Sequence, residues 1–274
     1  MNKTRFLVDR PELDEKSFIS QYKSSGIKGT NVLVVDQVTG KPIIRKSNKV
    51  TVSGSLFTMS KHFDSDLPII LPNYNDALGL DYSDLDTNLT YRPDQKVYLF
   101  AVSNDGVGPE SSQKLDVDYK VWTDPADLIP FRYVPVGSDI SADEREMYFG
   151  RKTDGTHISY YFKAFESKPI GYVQYIDGTP ADNDLYNSSN TLELQVFEEL
   201  RLRITKDDLR EWMNMYLGPS DSKISSIMLL TAYKKTVGGY TYYQNIQPVT
   251  KLNITEEDMS DDTKGLDIIY HIYY

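Results

Sequence analysis

The sequence predicts a mainly β protein built of two β-rich units, the C-terminal one an antiparallel sheet or sandwich with one helix packed against it. Three observations predict it. Apolar residues alternate with polar ones through residues 192–204 and 266–274, the period-two pattern of a half-buried strand. Gly238-Gly239 stands between two strand-like runs, a two-residue hairpin signal. The chain holds 21 Tyr against 10 Phe and 2 Trp, and tyrosine suits half-buried strands and wet interfaces.

The N-terminal unit is read as residues 1–140. A short helix is expected over 12–22, with Leu13, Phe18 and Tyr22 as anchors. Val32-Leu33-Val34-Val35 reads as a buried strand, Val38-Thr39-Gly40-Lys41-Pro42 as a turn, and Val50-Thr51-Val52 as a further strand-like piece. Residues 64–94 carry Pro68, Pro72, Gly79 and Pro93 with many Asn and Asp, and are expected to be a long surface loop or an excursion to a neighbour. Residues 96–103 (KVYLFAVS) form a strand, followed by a glycine loop at 104–109 and a returning strand at 115–119.

Residues 141–150 are expected to be a short helical connector. Ser141 and Glu144 have capping-box spacing, and Gly150 sits where a C-terminal glycine belongs. The C-terminal unit, 151–274, opens with strands at 158–165 and 170–176 joined through Lys168-Pro169. The 192–204 strand is expected to bend near Phe197–Glu199, where Glu198 breaks the alternation. A helix follows at 205–217, with Leu209, Trp212, Met213, Tyr216 and Leu217 on one stripe. Strands at 225–237 and 240–254 flank the glycine pair. The final strand, with Leu266, Ile268, Tyr270, Ile272 and Tyr274 on one side, either completes the sheet or adds to a partner's. The phrase at 202–209 returns at 252–259, and each copy reads as a strand end passing into a helical cap.

At 274 residues and 39% hydrophobic content, the chain is long enough to bury a real core. Zero Cys excludes a disulfide scaffold and thiol catalysis, and three scattered His (His62, His157, His271) leave little for a His-based metal site. No signal peptide is visible in MNKTRFLVDRPELDE, and no apolar run approaches the ~20 residues of a membrane helix. The net charge is −10; residues 1–50 carry +5 and the remainder −15. A phosphate backbone is repelled by such a body, so neither nucleic acid nor membrane is an expected partner. A basic arm on an acidic body is either a mixed solvated segment or a contact to the next copy in an assembly.

Candidate chemistry is thin. Asp84-Leu85-Asp86-Thr87-Asn88 opens like a calcium loop, but Leu89 and Gln95 stand where Gly and Glu are needed. Asp182-Asn183-Asp184 is another oxygen-rich spot. His62 lies near Asp64 and Asp66 without a nucleophile motif, and Gly106-Val107-Gly108 lacks the third glycine of a nucleotide loop. No residue is therefore assigned a catalytic, cofactor-binding or metal-binding role, and no cofactor is expected.

Residues 96–112 (KVYLFAVSNDGVGPESS) resemble the penultimate strand and following loop of fibronectin type III or other immunoglobulin-like modules. More of the chain is similar to the virion structural proteins of tailed bacteriophages, in LIPFRYVPVG (128–137), EMYFGRKTDGTHISYYFKAFES (146–167) and GGYTYYQNIQPVTKLNI (238–254). That resemblance implies a structural subunit of a tail, neck or baseplate, made in the host cytoplasm and resident in the virion. Its implied partners are other virion proteins and copies of itself, and it implies no enzyme. Loops 64–94 and 177–190 and the terminal strand are the expected contact regions. Capsid decoration, a carbohydrate- or receptor-binding module, and a carboxylate-based glycosidase remain the alternatives.

Overall fold

A computed structural model describes residues 29–46, 49–63, 73–81, 95–105, 124–176, 179–181, 193–261 and 263–273. In chain order its strands are β1 (Gly29–Asp36), β2 (Pro42–Lys46), β3 (Lys49–Val50), β4 (Lys96–Ser103), β5 (Leu128–Ile129), β6 (Arg132–Pro135), β7 (Tyr148–Asp154), β8 (His157–Ala164), β9 (Glu166–Ile176), β10 (Thr179–Ala181), β11 (Glu193–Ile204), β12 (Lys223–Val237), β13 (Tyr240–Asp258) and β14 (Leu266–Tyr273). Among the described residues three α-helices accompany them: α1 (Val52–Phe63), α2 (Tyr74–Leu78) and α3 (Arg210–Tyr216). The protein is mainly β, as its alternation predicts.

The strands form two antiparallel sheets. One has the order β10-β9-β11-β14-β1-β2; the other has β3-β13-β12-β4-β8-β6, with β5 on β4 and β7 on β8. They pack face to face as a sandwich. From the first sheet, Val32, Val34, Leu200, Leu202, Ile204, Leu266, Ile268 and Tyr270 point inward and meet Phe100, Val102, Ile227, Leu229, Leu252 and Ile254 of the second. The register explains this choice of face. Val34 and Leu202 both lie opposite Ile268, and Val32 and Leu200 both lie opposite Tyr270, so three neighbouring strands turn their apolar residues the same way.

The second sheet is covered on its other face as well. Leu99, Ala101, Met228, Leu230, Ala232 and Ile246 pack there against Tyr74, Leu78, Leu80, Phe149 and Phe162. Ile224–Ala232 is therefore buried throughout, with no polar face. Ile227 and Leu229 serve the inner core while Met228 and Leu230 serve the outer one.

The expected hairpin forms at Gly238-Gly239, both at positive φ. At the expected bend, the register with β9 shifts between Phe197 and Glu198, but the extra residue is Ile170 on β9, and β11 itself stays in register with β14. Other expectations need correction. The division into units 1–140 and 151–274 does not describe the sheets, since β1 pairs with β14 and β4 with β12. The connector at 141–150 is a 3-10 turn (Glu144–Glu146) running directly into β7. Its capping box does form: the Ser141 N–H donates to Glu144 Oε2 at 3.0 Å, and the Glu144 N–H to the Ser141 hydroxyl at 3.3 Å.

The strand-like piece expected at 50–52 stops at Val50, the end of β3, and residues 52–63 form a helix. The Thr51 hydroxyl accepts from the Gly54 N–H at 2.9 Å, and the Thr51 carbonyl from the Ser55 N–H at 2.9 Å. The helix expected at 205–217 begins at Arg210 instead, because Asp208 is drawn into the core and Leu209 turns at φ 69 to donate its N–H to the Phe131 carbonyl. At 252–259 no helix begins. β13 continues to Asp258 because Ile224 and Lys223 still hold Glu257 and Asp258 in the ladder. The long loop expected at 64–94 contains α2, buried through Tyr74, Asn75 and Leu78; residues 64–72 and 82–94 lie outside the described residues, as do the expected helix at 12–22, most of the glycine loop and the strand at 115–119.

Candidate functional site

Two groups of converging ionisable side chains are absorbed by the fold. Lys163 Nζ lies 2.5 Å from Asp208 Oδ2, with the two side chains 1% and 0% exposed. Asp208 also accepts from the Tyr148 hydroxyl (2.7 Å) and the Thr205 N–H (2.7 Å), while the ammonium faces the rings of Tyr148 and Phe131 at 5.1 and 6.0 Å. Burial first, then the charge and hydrogen bond of Asp208, push the Tyr148 phenol well above its usual range, so it stays a donor.

The second group sits where β4, β12 and β13 meet. Lys251 Nζ is 2.6 Å from Asp105 Oδ2, and Asp105 Oδ1 accepts from Ser103 (2.5 Å) and Ser226 (3.0 Å). Burial pulls the Asp105 carboxyl up; the Lys251 charge and the three side-chain hydrogen bonds together outweigh it and hold the carboxyl below its usual value. In both groups the acid is already matched to a base, which makes them ties between strands.

A cleft of about 350 Å³ opens along the β13 strand of the β12–β13 hairpin, starting beside its turn. One wall is the start of β13, Tyr240 to Tyr243; the other is the 139–151 segment with Asp139, Arg145, Tyr148, Phe149, Gly150 and Arg151; Asn75, Leu80 and Tyr160 complete it. Each wall is fixed. Tyr243 meets Phe149 edge-on at 4.7 Å and lies 5.2 Å from Tyr98. Asn75 donates to the Tyr243 carbonyl at 2.8 Å and accepts from the Ile246 N–H at 3.0 Å, tying α2 to β13. Asp139 Oδ1 accepts from the Tyr160 hydroxyl at 2.7 Å, and its Oδ2 takes Arg145 at 2.9 Å with Arg151 Nε 3.6 Å away. Arg151 also pairs with Asp81, which accepts from the Thr153 N–H at 2.8 Å. Burial lowers the Arg151 guanidinium; Asp81 leads the interactions that reverse this and raise it. Burial and the Asp139 contact push the Tyr160 phenol up.

Two exposed features flank this region. The hairpin runs five residue pairs, from Tyr233↔Gln244 to Val237↔Tyr240, beyond Ala232↔Lys96, where pairing of β12 with β4 ends. On another face, Tyr133 stacks on His157 at 4.6 Å and shares a 2.6 Å hydrogen bond with Tyr216, which is 57% exposed. Burial and that bond push Tyr133 up to about 12.

Asp84–Asn88, Asp182–Asp184, Asp64 and Asp66 lie outside the described residues, and of the His62 side chain nothing is described. Among the described residues no three His, Asp or Glu side chains gather as a metal site needs, and no helix is long and apolar enough to cross a membrane. Among the described lining residues, Asp139 is the one carboxylate in the cleft. The cleft residues carry no sequence motif. Their only prior sign is the tyrosine run at 240–243, since Asp139, Arg145, Arg151 and Tyr160 converge through pairing of β7 with β8 and not through spacing.

In comparison with known proteins, no family model, no curated protein and no solved structure matches this chain.

Proposed function

We propose that the chain is a structural subunit of a bacteriophage particle, in the tail, neck or baseplate, working through protein–protein contacts and without catalysis. The observation that carries this reading is the exposed β12 edge of the β12–β13 hairpin. Beyond Ala232 its β12 strand pairs, among the described strands, with β13 alone. Lys234, Lys235, Thr236 and Val237 are exposed along it. A ribbon carrying an unpaired edge and exposed side chains is suited to strand addition or to a socket on a neighbour. The two buried ion pairs fit a part built to hold its shape, because each ties a strand lysine to an acid in a neighbouring loop, Lys163 to Asp208 and Lys251 to Asp105.

The terminal strand takes no part in this contact. β14 lies between β11 and β1, so it completes the protein's own sheet. The expected partners are other virion proteins and further copies of this chain.

Mass spectrometry of purified particles of the phage that encodes it, after chemical cross-linking, tests the reading. The expected result is the chain among the particle proteins, with cross-links from Lys234 or Lys235 to another subunit. Its absence from particles, together with a monomer that turns over a small molecule, overturns it.

A further inference from the structure

We propose that the cleft along the β13 strand of the β12–β13 hairpin binds a short neutral saccharide, with one sugar ring packed on Tyr240 and ring hydroxyls met by the Arg145–Asp139 pair. This inference does not rest on the particle reading.

Four features support it. The volume, about 350 Å³, is at the small end of ligand sites and suits a ligand of one or two rings better than a protein segment. The walls are set before any ligand arrives, through Tyr243 on Phe149, Asn75 on the β13 backbone and Tyr160 on Asp139; such preorganisation lowers the entropic cost of binding. Tyr240 is 53% exposed at the edge of the cleft, which leaves its ring available to a flat apolar surface. Finally, the polar lining comes as matched signs. Arg145 and Arg151 face Asp139, and Asp81 holds Arg151 as well.

The last point selects the ligand class. The lining carries two guanidiniums and one carboxylate, and Asp81 beyond it pairs with Arg151, so on a chain of net charge −10 little positive field is left for phosphate, a nucleotide or a sulfated chain. Vicinal hydroxyls donate and accept at once, so they match a carboxylate and a guanidinium lying side by side. The carbon face of a sugar ring supplies the apolar surface that an exposed phenol ring covers.

The test is titration calorimetry on the full chain with neutral saccharides of glucose, galactose and N-acetylglucosamine, as single sugars and short oligomers, beside adenosine monophosphate and inorganic phosphate. The expected result is saturable binding of at least one saccharide and none of the two anions. Tyr240→Ala weakens it roughly tenfold or more and Tyr240→Phe leaves it nearly intact, because the ring face carries the contact. Arg145→Ala weakens it as well. Tyr216→Ala, on another face, changes nothing. Thermal unfolding of each variant confirms that it is folded. The proposal is overturned if no saccharide binds, if only the anions bind, or if Tyr240→Ala binds as the parent does. None of these outcomes touches the particle cross-linking result, so the two proposals fail separately.

Discussion

At Asp105 a single buried carboxylate joins three strands, and its protonation sets part of the stability. Lys251 comes from β13, Ser226 from β12 and Ser103 from β4. The folded value lies below the ordinary ~3.9 of an aspartate. A depressed folded value means that the unfolded chain binds the proton more readily. The contribution is therefore complete above about pH 5, and is lost as pH falls through 3.9 toward the folded value. Denaturant unfolding at a series of pH values should show stability falling on acidification below about pH 4. Lys251→Met should cost about 3–5 kcal/mol at neutral pH, because it strands a buried charge. It should also flatten the acid limb, since only the Ser103 and Ser226 hydrogen bonds then oppose the effect of burial on Asp105. An unchanged acid limb in Lys251→Met would show that other carboxylates produce it.

At the scale of single elements, what the sequence made legible depended on how local the cause was. The β11 alternation and the Gly238-Gly239 turn are set by adjacent side chains, and both form as their patterns predict. The start of α3 was not legible. Thr205 and Asp208 have cap spacing, yet Asp208 spends one oxygen on Lys163, 45 residues away, and that long-range pair moves the start to Arg210. α1 was hidden by its own alternation at Val50-Thr51-Val52. The cleft was hidden because its polar residues meet only after β7 folds onto β8. Gly150 shows the same distinction. It looked like a helix stop, but it lies inside β7 at φ 69, and a Cβ there would run into the Phe162 ring. Gly150→Ala should therefore destabilise by about 1–3 kcal/mol, from the left-handed backbone and the displaced ring together. A thermal melt reads it directly, and Gly155→Ala is the control: it has φ 57 but nothing within 4 Å of its Cβ, so its loss should be smaller.

For the whole molecule, the decisive fact is that both ends of the described chain enter one sheet. β1 and β14 pair along eight residues, from Gly29↔Tyr273 to Asp36↔Leu266, and β14 pairs on its other side with β11. The second sheet is stitched likewise, with β4 lying between β12 and β8. A fragment of residues 151–274 would keep β8, β9, β11, β12, β13 and β14. It would lose β1 from beside β14, and it would lose β4 from between β12 and β8. Phe100, Val102, Val32 and Val34, all fully buried, would leave the shared core with them. The remaining strands would expose apolar faces and open backbone edges, the condition under which β proteins aggregate. The intact chain should therefore unfold in one cooperative transition seen alike by circular dichroism and by fluorescence of Trp212, which packs against that core. The 151–274 fragment alone should give a poorly dispersed amide spectrum or precipitate, and adding a 1–150 fragment should restore dispersion. Two separated melting steps in the full chain, or a well-dispersed spectrum from 151–274 by itself, would mean that the pairing across the two halves contributes little to folding.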